Sequence, residues 1–486
     1  MMENKPFWQW SASDLAASIR DGVVRSEDAV ESVIDRMHVV NPHVNAVVVD
    51  MSRLALERAR QADLAVKNGE KLGPLHGVPV TVKVNVDVKG QPNSAGIVVS
   101  ADLIATEDSP VVKNLRRAGA IIIGLTNMPD FGTRYQTDND LYGLTKNPWN
   151  ETITCGGSSG GAGAALAAGI GPIAHGNDIG GSLRMPAYCC GVSAIRPTLG
   201  RVPSYNHSCA SQGIESTMMC ELFMTDGPMA REVRDVRMLL DVMAKGDVND
   251  PWWVPAPLTG PDLDAPPRVA ITRLPAGNKP HKVITGGLDK AAQYLTAAGY
   301  TVEDAEAPFS QEMADIWNSL ISTEILQFSD EFIQANCSEG LKTFFYGATR
   351  AAPALDIAGY MNAMKARTAI LRQWQHFLEQ YPIVLTPFSL ALPYQVDEDL
   401  GGDEKVAEML NDMQCSYAMN FLGLPAAIAP MGIHDGVPYG IQIVGQRFRE
   451  DMVLDAAEAI QAQVGVLPER LWKQPALYEP ALYENE

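Results

Sequence analysis

The stretch CGGSSGGAGAALAAGIGPIAHGNDIGGSLRMPAYCCG, residues 155–191, decides the fold and the chemistry that we expect of this chain. It begins with a Gly-Ser run at 156–161 and continues through small apolar residues to the motif Asp-Ile-Gly-Gly-Ser at 178–182. Glycines at this density let backbone N–H groups converge on one point, because no Cβ blocks the approach. The stretch therefore predicts a concave site that is lined by backbone N–H groups and ends at Ser182.

Ser182 is the candidate nucleophile of that site. The N–H groups of Ile179, Gly180, Gly181 and Ser182 are expected to point into one concavity, where they would stabilise the oxyanion of a tetrahedral acyl-transfer intermediate. A serine hydroxyl is a weak nucleophile at neutral pH, so a neighbouring base has to take its proton.

Lysine fits the role of base better than histidine in this chain. None of the eight histidines lies in a recognisable arrangement with a nucleophile, and His175, on an apolar run, is interpreted as a core residue. Lys83 stands in the apolar, strand-like run Val-Pro-Val-Thr-Val-Lys-Val at 78–84. Burial disfavours the charged form of lysine and would lower its pKa towards the value that a general base needs.

Lys83, the pair Ser158-Ser159, and Ser182 at 24 positions beyond Ser158 together resemble the amidase signature family. Further family-like segments occur at 119–131, 147–149, 196–203, 226–231 and 420–426. The resemblance implies that Ser182 is the nucleophile, that Ser158 is a bridging serine after a cis peptide bond from Gly157, and that Lys83 is the base. One departure is Val84, because an aspartate commonly follows the lysine in this family.

The resemblance also implies the architecture: an α/β fold with a central mixed β-sheet covered by helices on both faces. We expect an N-terminal helical layer over 1–70, one catalytic domain over 71–470 with a helical elaboration at about 309–395, and an acidic tail over 471–486. Some family members dimerise through their N-terminal helices, so a homodimer is an open alternative here.

Local patterns give a more detailed expectation of the secondary structure. The region 11–67 has helical periodicity throughout, and a helix is expected from Asp226 to Met243. Strands are expected at 120–124 and 171–176, with a helix beginning at Ser182. Aromatic and methionine side chains in 204–221 and 309–395 are candidates both for the core and for the wall of a substrate pocket.

The composition of the chain limits the classes of partner that we expect it to bind. Fifty-eight acidic and 38 basic side chains give a formal charge of −20, which argues against nucleic acid or an anionic membrane as a partner. Seven irregularly spaced cysteines predict neither disulfides nor a metal site, and the chemistry needs no cofactor. The first residues lack the pattern of a signal peptide, and no apolar run has membrane-spanning length, so a cytoplasmic protein is expected.

The leading functional hypothesis is an amide hydrolase that forms an acyl-serine intermediate on a small-molecule substrate. One rival is the glutamine-dependent amidotransferase of the same family, whose amidase-like chain needs partner subunits; residues 337–349 lack the arginine expected for binding glutamine. A second rival is a non-catalytic binding protein on the same fold. The sequence leaves open whether the substrate is an aryl amide, an aliphatic amide, a carbamate or a peptide amide.

Overall fold

A single mixed β-sheet organises the described part of the chain. The structure is a computed structural model and describes residues 5–261, 263 and 266–473. The eleven strands are β1 (Val47–Asp50), β2 (Pro79–Lys83), β3 (Ile121–Thr126), β4 (Ile173–Asp178), β5 (Ser193–Arg196), β6 (Thr225–Ala230), β7 (Val269–Ile271), β8 (Val302–Asp304), β9 (Ile383–Thr386), β10 (Ala426–His434) and β11 (Val437–Gly445).

The strand order is β1-β3-β2-β4-β6-β5-β10-β11-β9-β7-β8. Strands β3, β2 and β4 run parallel to one another, as do β9, β7 and β8, and the other neighbours are antiparallel. The central strands β2, β3 and β4 are buried along their whole length, which is typical of parallel strands covered by helices.

Helices flank this sheet and bury its apolar residues, so the predicted α/β class is confirmed. They are α1 (Ala12–Arg20), α2 (Ser26–Val44), α3 (Ser52–Lys67), α4 (Pro110–Arg117), α5 (Gly160–Ala168), α6 (Arg184–Cys190), α7 (His207–Ala210), α8 (Met218–Phe223), α9 (Val233–Met243), α10 (Lys282–Ala297), α11 (Gln311–Phe328), α12 (Asp330–Asn336), α13 (Glu339–Ala351), α14 (Ile357–Gln380), α15 (Asp403–Asp412), α16 (Gln414–Leu422), α17 (Glu450–Val464) and α18 (Pro468–Leu471).

Helix α5 shows why small residues follow the Gly-Ser run. All nine of its residues are buried, and a Cβ added at Gly161 would collide with the backbone of Asn127. The helix therefore approaches the end of β3 more closely than a larger residue would permit. This contact holds the Gly-Ser run against the carboxyl ends of the parallel strands.

Two segments that were expected to be helical contain strands. Residues 226–230 belong to strand β6 and not to a helix; β6 is hydrogen-bonded to both β4 and β5, and the helix begins only at Val233. The region 11–67 contains, besides helices α1 to α3, the strand β1, a short edge strand that pairs with β3. The helical elaboration expected at about 309–395 contains α11 to α14, and most of the predicted acidic tail lies outside the described residues.

Candidate active site

The site lies where three parallel strands end. Lys83 is the last residue of β2 and pairs with Thr126 at the end of β3, while Asp178 is the last residue of β4 on the other side of β2. Ligands of open α/β sheets gather beyond the carboxyl ends of such strands. The topology thus delivers the lysine and the Asp-Ile-Gly-Gly-Ser motif to the same edge of the sheet.

The Lys83 amine is sequestered from water. The residue has 0% exposure, and its Nζ lies 2.7 Å from Ser158 Oγ and donates to Asn177 Oδ1 at 2.7 Å. Burial lowers the pKa of Lys83 to about 7, although the charges of Asp226 and Asp178 oppose this change. A substantial fraction of the amine is therefore neutral near pH 7 and carries a lone pair that can accept a proton.

The two adjacent serines have different partners. The peptide bond between Gly157 and Ser158 is cis, and the Ser158 hydroxyl faces the Lys83 amine. The Ser159 hydroxyl instead exchanges hydrogen bonds with the backbone of Asn177 at 3.3 Å. Of the two, only Ser158 is thus placed to pass a proton to Lys83.

Ser182 lies on the wall of the same cavity as Ser158, two residues before α6 begins, and does not open that helix as the sequence had suggested. Its backbone carbonyl accepts a hydrogen bond from the Ser159 N–H at 3.1 Å. Its hydroxyl makes no hydrogen bond to any part of the chain that the structure describes. The structure brings Lys83 and Ser158 into contact and leaves the Ser182 hydroxyl free towards the cavity.

The backbone of residues 179–181 forms a loop over buried charges. The Gly181 N–H donates to Asp178 Oδ1 at 2.8 Å, so this N–H, expected to stabilise an oxyanion, is already engaged. The N–H groups of Ile179, Gly180 and Ser182 donate to no group among the described residues, and all three residues line the cavity. The available donors of the predicted oxyanion hole are therefore those of Ile179, Gly180 and Ser182.

A buried ion pair supports this loop. Arg184 donates to both carboxylate oxygens of Asp178, at 2.9 and 3.0 Å, and Asn420 donates to Oδ1 at 2.8 Å. Burial alone would raise the pKa of Asp178, but the charges of Arg184 and Arg196 and the hydrogen bonds from Arg184 and Asn420 together outweigh it and hold that pKa well below the usual range. Asp178 and Arg184 thus form a buried structural ion pair beneath the loop.

His175 has the core role that the sequence suggested, with an additional consequence for Lys83. It is fully buried, its Nδ1 accepts from the Lys83 backbone N–H at 3.4 Å, and its Nε2 lies 3.1 Å from Asp226 Oδ1. Because Nδ1 accepts, Nε2 carries the proton and donates to Asp226. The histidine thus joins the end of β2 to the carboxylate whose charge raises the pKa of Lys83.

A cavity of about 340 Å³ opens in front of Ser158 and Ser182. Its walls are mainly apolar: they include Met128, Phe131, Tyr135, Met185, Met219, Met224, Trp317, Ile321, Ile325, Phe344, Phe345, Leu410, Met413 and Tyr417. Trp317 stacks on Tyr417 with 4.2 Å between ring centroids and an interplanar angle of 5°. The cavity suits a flat, apolar group of the size of one or two aromatic rings.

Two wall positions carry unused donors. The Tyr135 hydroxyl and the Trp317 indole N–H are buried and have no hydrogen-bond partner among the described residues. From the two segments proposed as pocket walls, Met219, Cys220, Trp317, Phe344 and Phe345 line the cavity. The other aromatic and methionine residues of these two segments do not line the cavity.

Asn177 and Asn85 were missed by the sequence reasoning. Asn177 accepts from Lys83 Nζ, and its own amide donates to Asn85 Oδ1 at 3.1 Å, which fixes the direction of the accepting oxygen. Both residues line the cavity. Their positions in the sequence could have identified them as site residues, because Asn177 directly precedes Asp178 and Asn85 follows Lys83 by two residues.

Three cysteine thiols are held in the core, apart from this chemistry. Cys155, Cys189 and Cys190 are fully buried core residues, and burial raises the pKa of each thiol. Within the described ranges, no group of three or more His, Cys, Asp or Glu is arranged to hold a metal ion. In the same ranges no helix is both long and apolar enough to cross a membrane.

Comparison with known proteins gives consistent relatives. A family model described as Amidase matches residues 28–454. The indoleacetamide hydrolase of Bradyrhizobium diazoefficiens is 46% identical over 469 residues, which cover 96% of this chain and 89% of that protein. A glutamyl-tRNA(Gln) amidotransferase chain of Moorella thermoacetica is more distant, at 30% identity over 481 residues that cover 93% of this chain and 96% of that one.

Comparison with solved structures leads to the same family. The crystal structure of a bacterial aryl acylamidase belonging to the amidase signature enzymes family superposes with a TM-score of 0.81 and 26% identity. The match covers 96% of this chain and 98% of that structure. The similarity therefore extends over nearly the whole length of both proteins.

Proposed function

The chain belongs to the amidase signature family and is an amidohydrolase, and we propose that it hydrolyses a primary amide whose acyl group carries an aromatic ring. In this proposal Ser182 is the nucleophile, Ser158 relays its proton, and Lys83 is the base. The observation that carries the proposal is the buried Lys83 amine, 2.7 Å from the Ser158 hydroxyl and on the same cavity as Ser182.

The geometry around Lys83 supports a directed proton relay. A neutral lysine amine has two N–H donors and one lone pair. One N–H donates to Asn177, which leaves the lone pair free to accept the Ser158 proton. Ser158 in turn accepts the proton of Ser182 once the Ser182 hydroxyl turns towards it, and Ser182 Oγ attacks the carbonyl carbon of the amide.

The negative charge of the tetrahedral intermediate would develop on the former carbonyl oxygen. The N–H groups of Ile179, Gly180 and Ser182 are the available donors to it. The relay then returns the proton to the leaving nitrogen, so ammonia departs and an acyl-serine remains. Water attacks this ester by the same relay, and the products are a carboxylic acid and ammonia.

The substrate class follows from the cavity and the relative. The walls are apolar and rich in aromatic rings, and the relative at 46% identity is an indoleacetamide hydrolase. We propose an arylacetamide such as indole-3-acetamide as the substrate. No partner chain is required in this proposal, and a homodimer, a cytoplasmic location and the domain boundaries stay predictions from the sequence.

Ammonia release by the purified chain tests the function. The chain alone should release ammonia and indole-3-acetic acid from indole-3-acetamide, and Ser182→Ala should lower kcat at least about a thousandfold. An exposed serine supplies the matched control, because Ser211→Ala removes a hydroxyl outside the cavity and should leave the rate unchanged. Absence of hydrolysis of any arylacetamide by the folded chain would refute the proposal.

A further inference from the structure

A carboxylate that the proton relay does not use lies on the wall of the cavity. Glu324 is on α11, is 5% exposed, and contributes to the cavity lining. Its hydrogen-bond donors are the Tyr360 hydroxyl, at 2.6 Å from Oε1, and the Met219 N–H, at 2.9 Å from Oε2. Neither donor is a cation, so a buried carboxylate with no cationic partner among the described residues faces a mainly apolar pocket.

The Glu324 carboxylate can accept further hydrogen bonds. Each carboxylate oxygen receives one hydrogen bond, whereas a carboxylate offers about four lone-pair positions. Burial and the hydrogen bond to Glu324 raise the pKa of Tyr360, so the phenol stays protonated and remains the donor. A buried charge is costly unless it is fully hydrogen-bonded, so a donor arriving from the cavity would be favoured.

The position of Glu324 along α11 sets its distance from the reacting centre. Trp317 lies against the oxyanion loop, because a Cβ added at Gly180 would stand 2.8 Å from its ring. Glu324 follows Trp317 by seven residues, which is two helical turns and about 10 Å along the axis on the same helix face. Ile321 lies between them and also lines the cavity. An aromatic acyl group that begins at the loop would therefore extend towards the carboxylate.

The other polar side chains on this face of α11 do not distinguish a hydrogen-bond donor on the substrate from an acceptor. Asn318 and Ser322 line the cavity, but an amide and a hydroxyl can each donate as well as accept. An ionised carboxylate only accepts, and its hydrogen bonds are about twice as strong as neutral ones. Only Glu324 on this wall would therefore favour donors and oppose acceptors.

We propose that Glu324 determines acyl-group specificity by accepting a hydrogen bond from an N–H group on the aromatic ring system of the substrate. This inference rests on the proposed function, and it narrows the substrate class from arylacetamides in general to those with a ring N–H, such as indoles. Glu324 touches neither the scissile bond nor the relay, so it acts on selection of the substrate and not on the chemical step.

Wild-type enzyme and isosteric substrates provide the first test. Ammonia release is measured for indole-3-acetamide, for 1-benzofuran-3-acetamide, in which a ring oxygen replaces the N–H, and for naphthalene-1-acetamide. We expect kcat/KM for the indole to exceed that for the benzofuran by tenfold or more, with most of the difference in KM. Equal kcat/KM values for these substrates would overturn the proposal.

Variants assign the preference to the carboxylate. In the double variant Glu324→Leu, Tyr360→Phe, which removes the acceptor together with its hydroxyl donor, the indole preference should fall to threefold or less. Glu324→Gln retains the shape and one acceptor oxygen and should give an intermediate preference. Glu312→Gln, at an exposed position on the same helix, is the matched control and should keep the wild-type ratio. A preference that survives in the folded double variant would overturn the proposal.

Binding separates this inference from the proposed function. Calorimetric titration of Ser182→Ala with the same substrates needs no turnover, so the ratio of dissociation constants reports the subsite alone. Tenfold tighter binding of the indole supports the role of Glu324 even if the wild-type chain hydrolyses none of the substrates, a result that would refute only the proposed function. Equal binding, or no binding of any of the substrates, would refute the role of Glu324.

Discussion

Replacing Lys83 by methionine is expected to abolish hydrolysis and to change how stability depends on pH. The amine is fully buried, and its pKa falls from the ordinary value of 10.5 to about 7. At pH 7 roughly half of the molecules carry the neutral amine, whereas a lysine with the ordinary pKa would be neutral in about one molecule in three thousand. The fold thus maintains a base at a cost in stability.

The sign and size of that cost follow from proton linkage. Because the folded pKa is below the unfolded one, the unfolded chain binds a proton that the folded chain lacks between pH 7 and 10.5. The free energy of unfolding of the wild-type protein therefore rises with pH across this window. It falls again as the pH decreases from 10.5 towards 7, because the unfolded chain then gains a proton that the folded chain does not bind. Linkage gives a cost of about 4 kcal/mol at pH 7 and about 2 kcal/mol at pH 9.

Urea denaturation at pH 7 and pH 9 measures this difference. Lys83→Met leaves Ser158 and Asn177 without their partner, which lowers stability by a similar amount at both pH values. The pH-dependent part remains: wild type should gain about 2 kcal/mol relative to the variant between pH 7 and pH 9. Lys89→Met, at an exposed lysine, should show the wild-type pH dependence. If Lys83→Met shows that dependence too, the reasoning about the buried amine is refuted.

Four further predictions concern the base and the oxyanion loop. In a pH–rate profile, the kcat/KM of the wild type should rise with pH through a midpoint near 7. Asp226→Asn should move that midpoint down by roughly one pH unit, because the Asp226 charge raises the pKa of Lys83. Asn177→Asp should move it up, since a carboxylate beside the amine favours the protonated form; an unchanged midpoint would contradict the assignment of Lys83 as the base. Gly180→Ala should lower the melting temperature and the rate of hydrolysis, because the new methyl group collides with the Trp317 ring. Adding Trp317→Ala to the same chain should recover part of the lost stability in a thermal unfolding scan.

The positions of Lys83 and Ser158 could be predicted because local sequence constrains both. A lysine inside an apolar, strand-like run is expected on a buried strand, and the Gly-Ser run requires a closely packed backbone. The contact between the two side chains joins residues 75 positions apart. No pattern within either segment encodes that contact, and the family resemblance supplied it.

Strand β6 shows where local reasoning failed. Its sequence Thr-Asp-Gly-Pro-Met-Ala lacks β-branched residues after the first position and contains both glycine and proline, which are unfavourable in strands. It is a strand because β4 and β5 hydrogen-bond to it from either side. Tertiary pairing therefore overrides the local preference, and it also places Asp226 beside Asn177 of β4, close to the base.

Strand β1 failed for a different reason. It has four residues, Val-Val-Val-Asp, between two long amphipathic helices, and so short a run can be read equally well as the end of a helix. Its pairing with β3 at the edge of the sheet fixes it as a strand. The N-terminal region thus contributes one strand to the sheet as well as a helical layer.

The departure at Val84 becomes intelligible from the contacts of Lys83. Its direct partners, Ser158 and Asn177, are neutral, and Val84 is fully buried where a carboxylate is common in the family. The two nearby carboxylates are engaged elsewhere: Asp178 by Arg184, and Asp226 by His175. A carboxylate at position 84 would favour the ammonium form and raise the pKa of Lys83. The chain therefore favours the neutral form of its base by giving it uncharged direct partners, and it engages the two nearby carboxylates with Arg184 and His175.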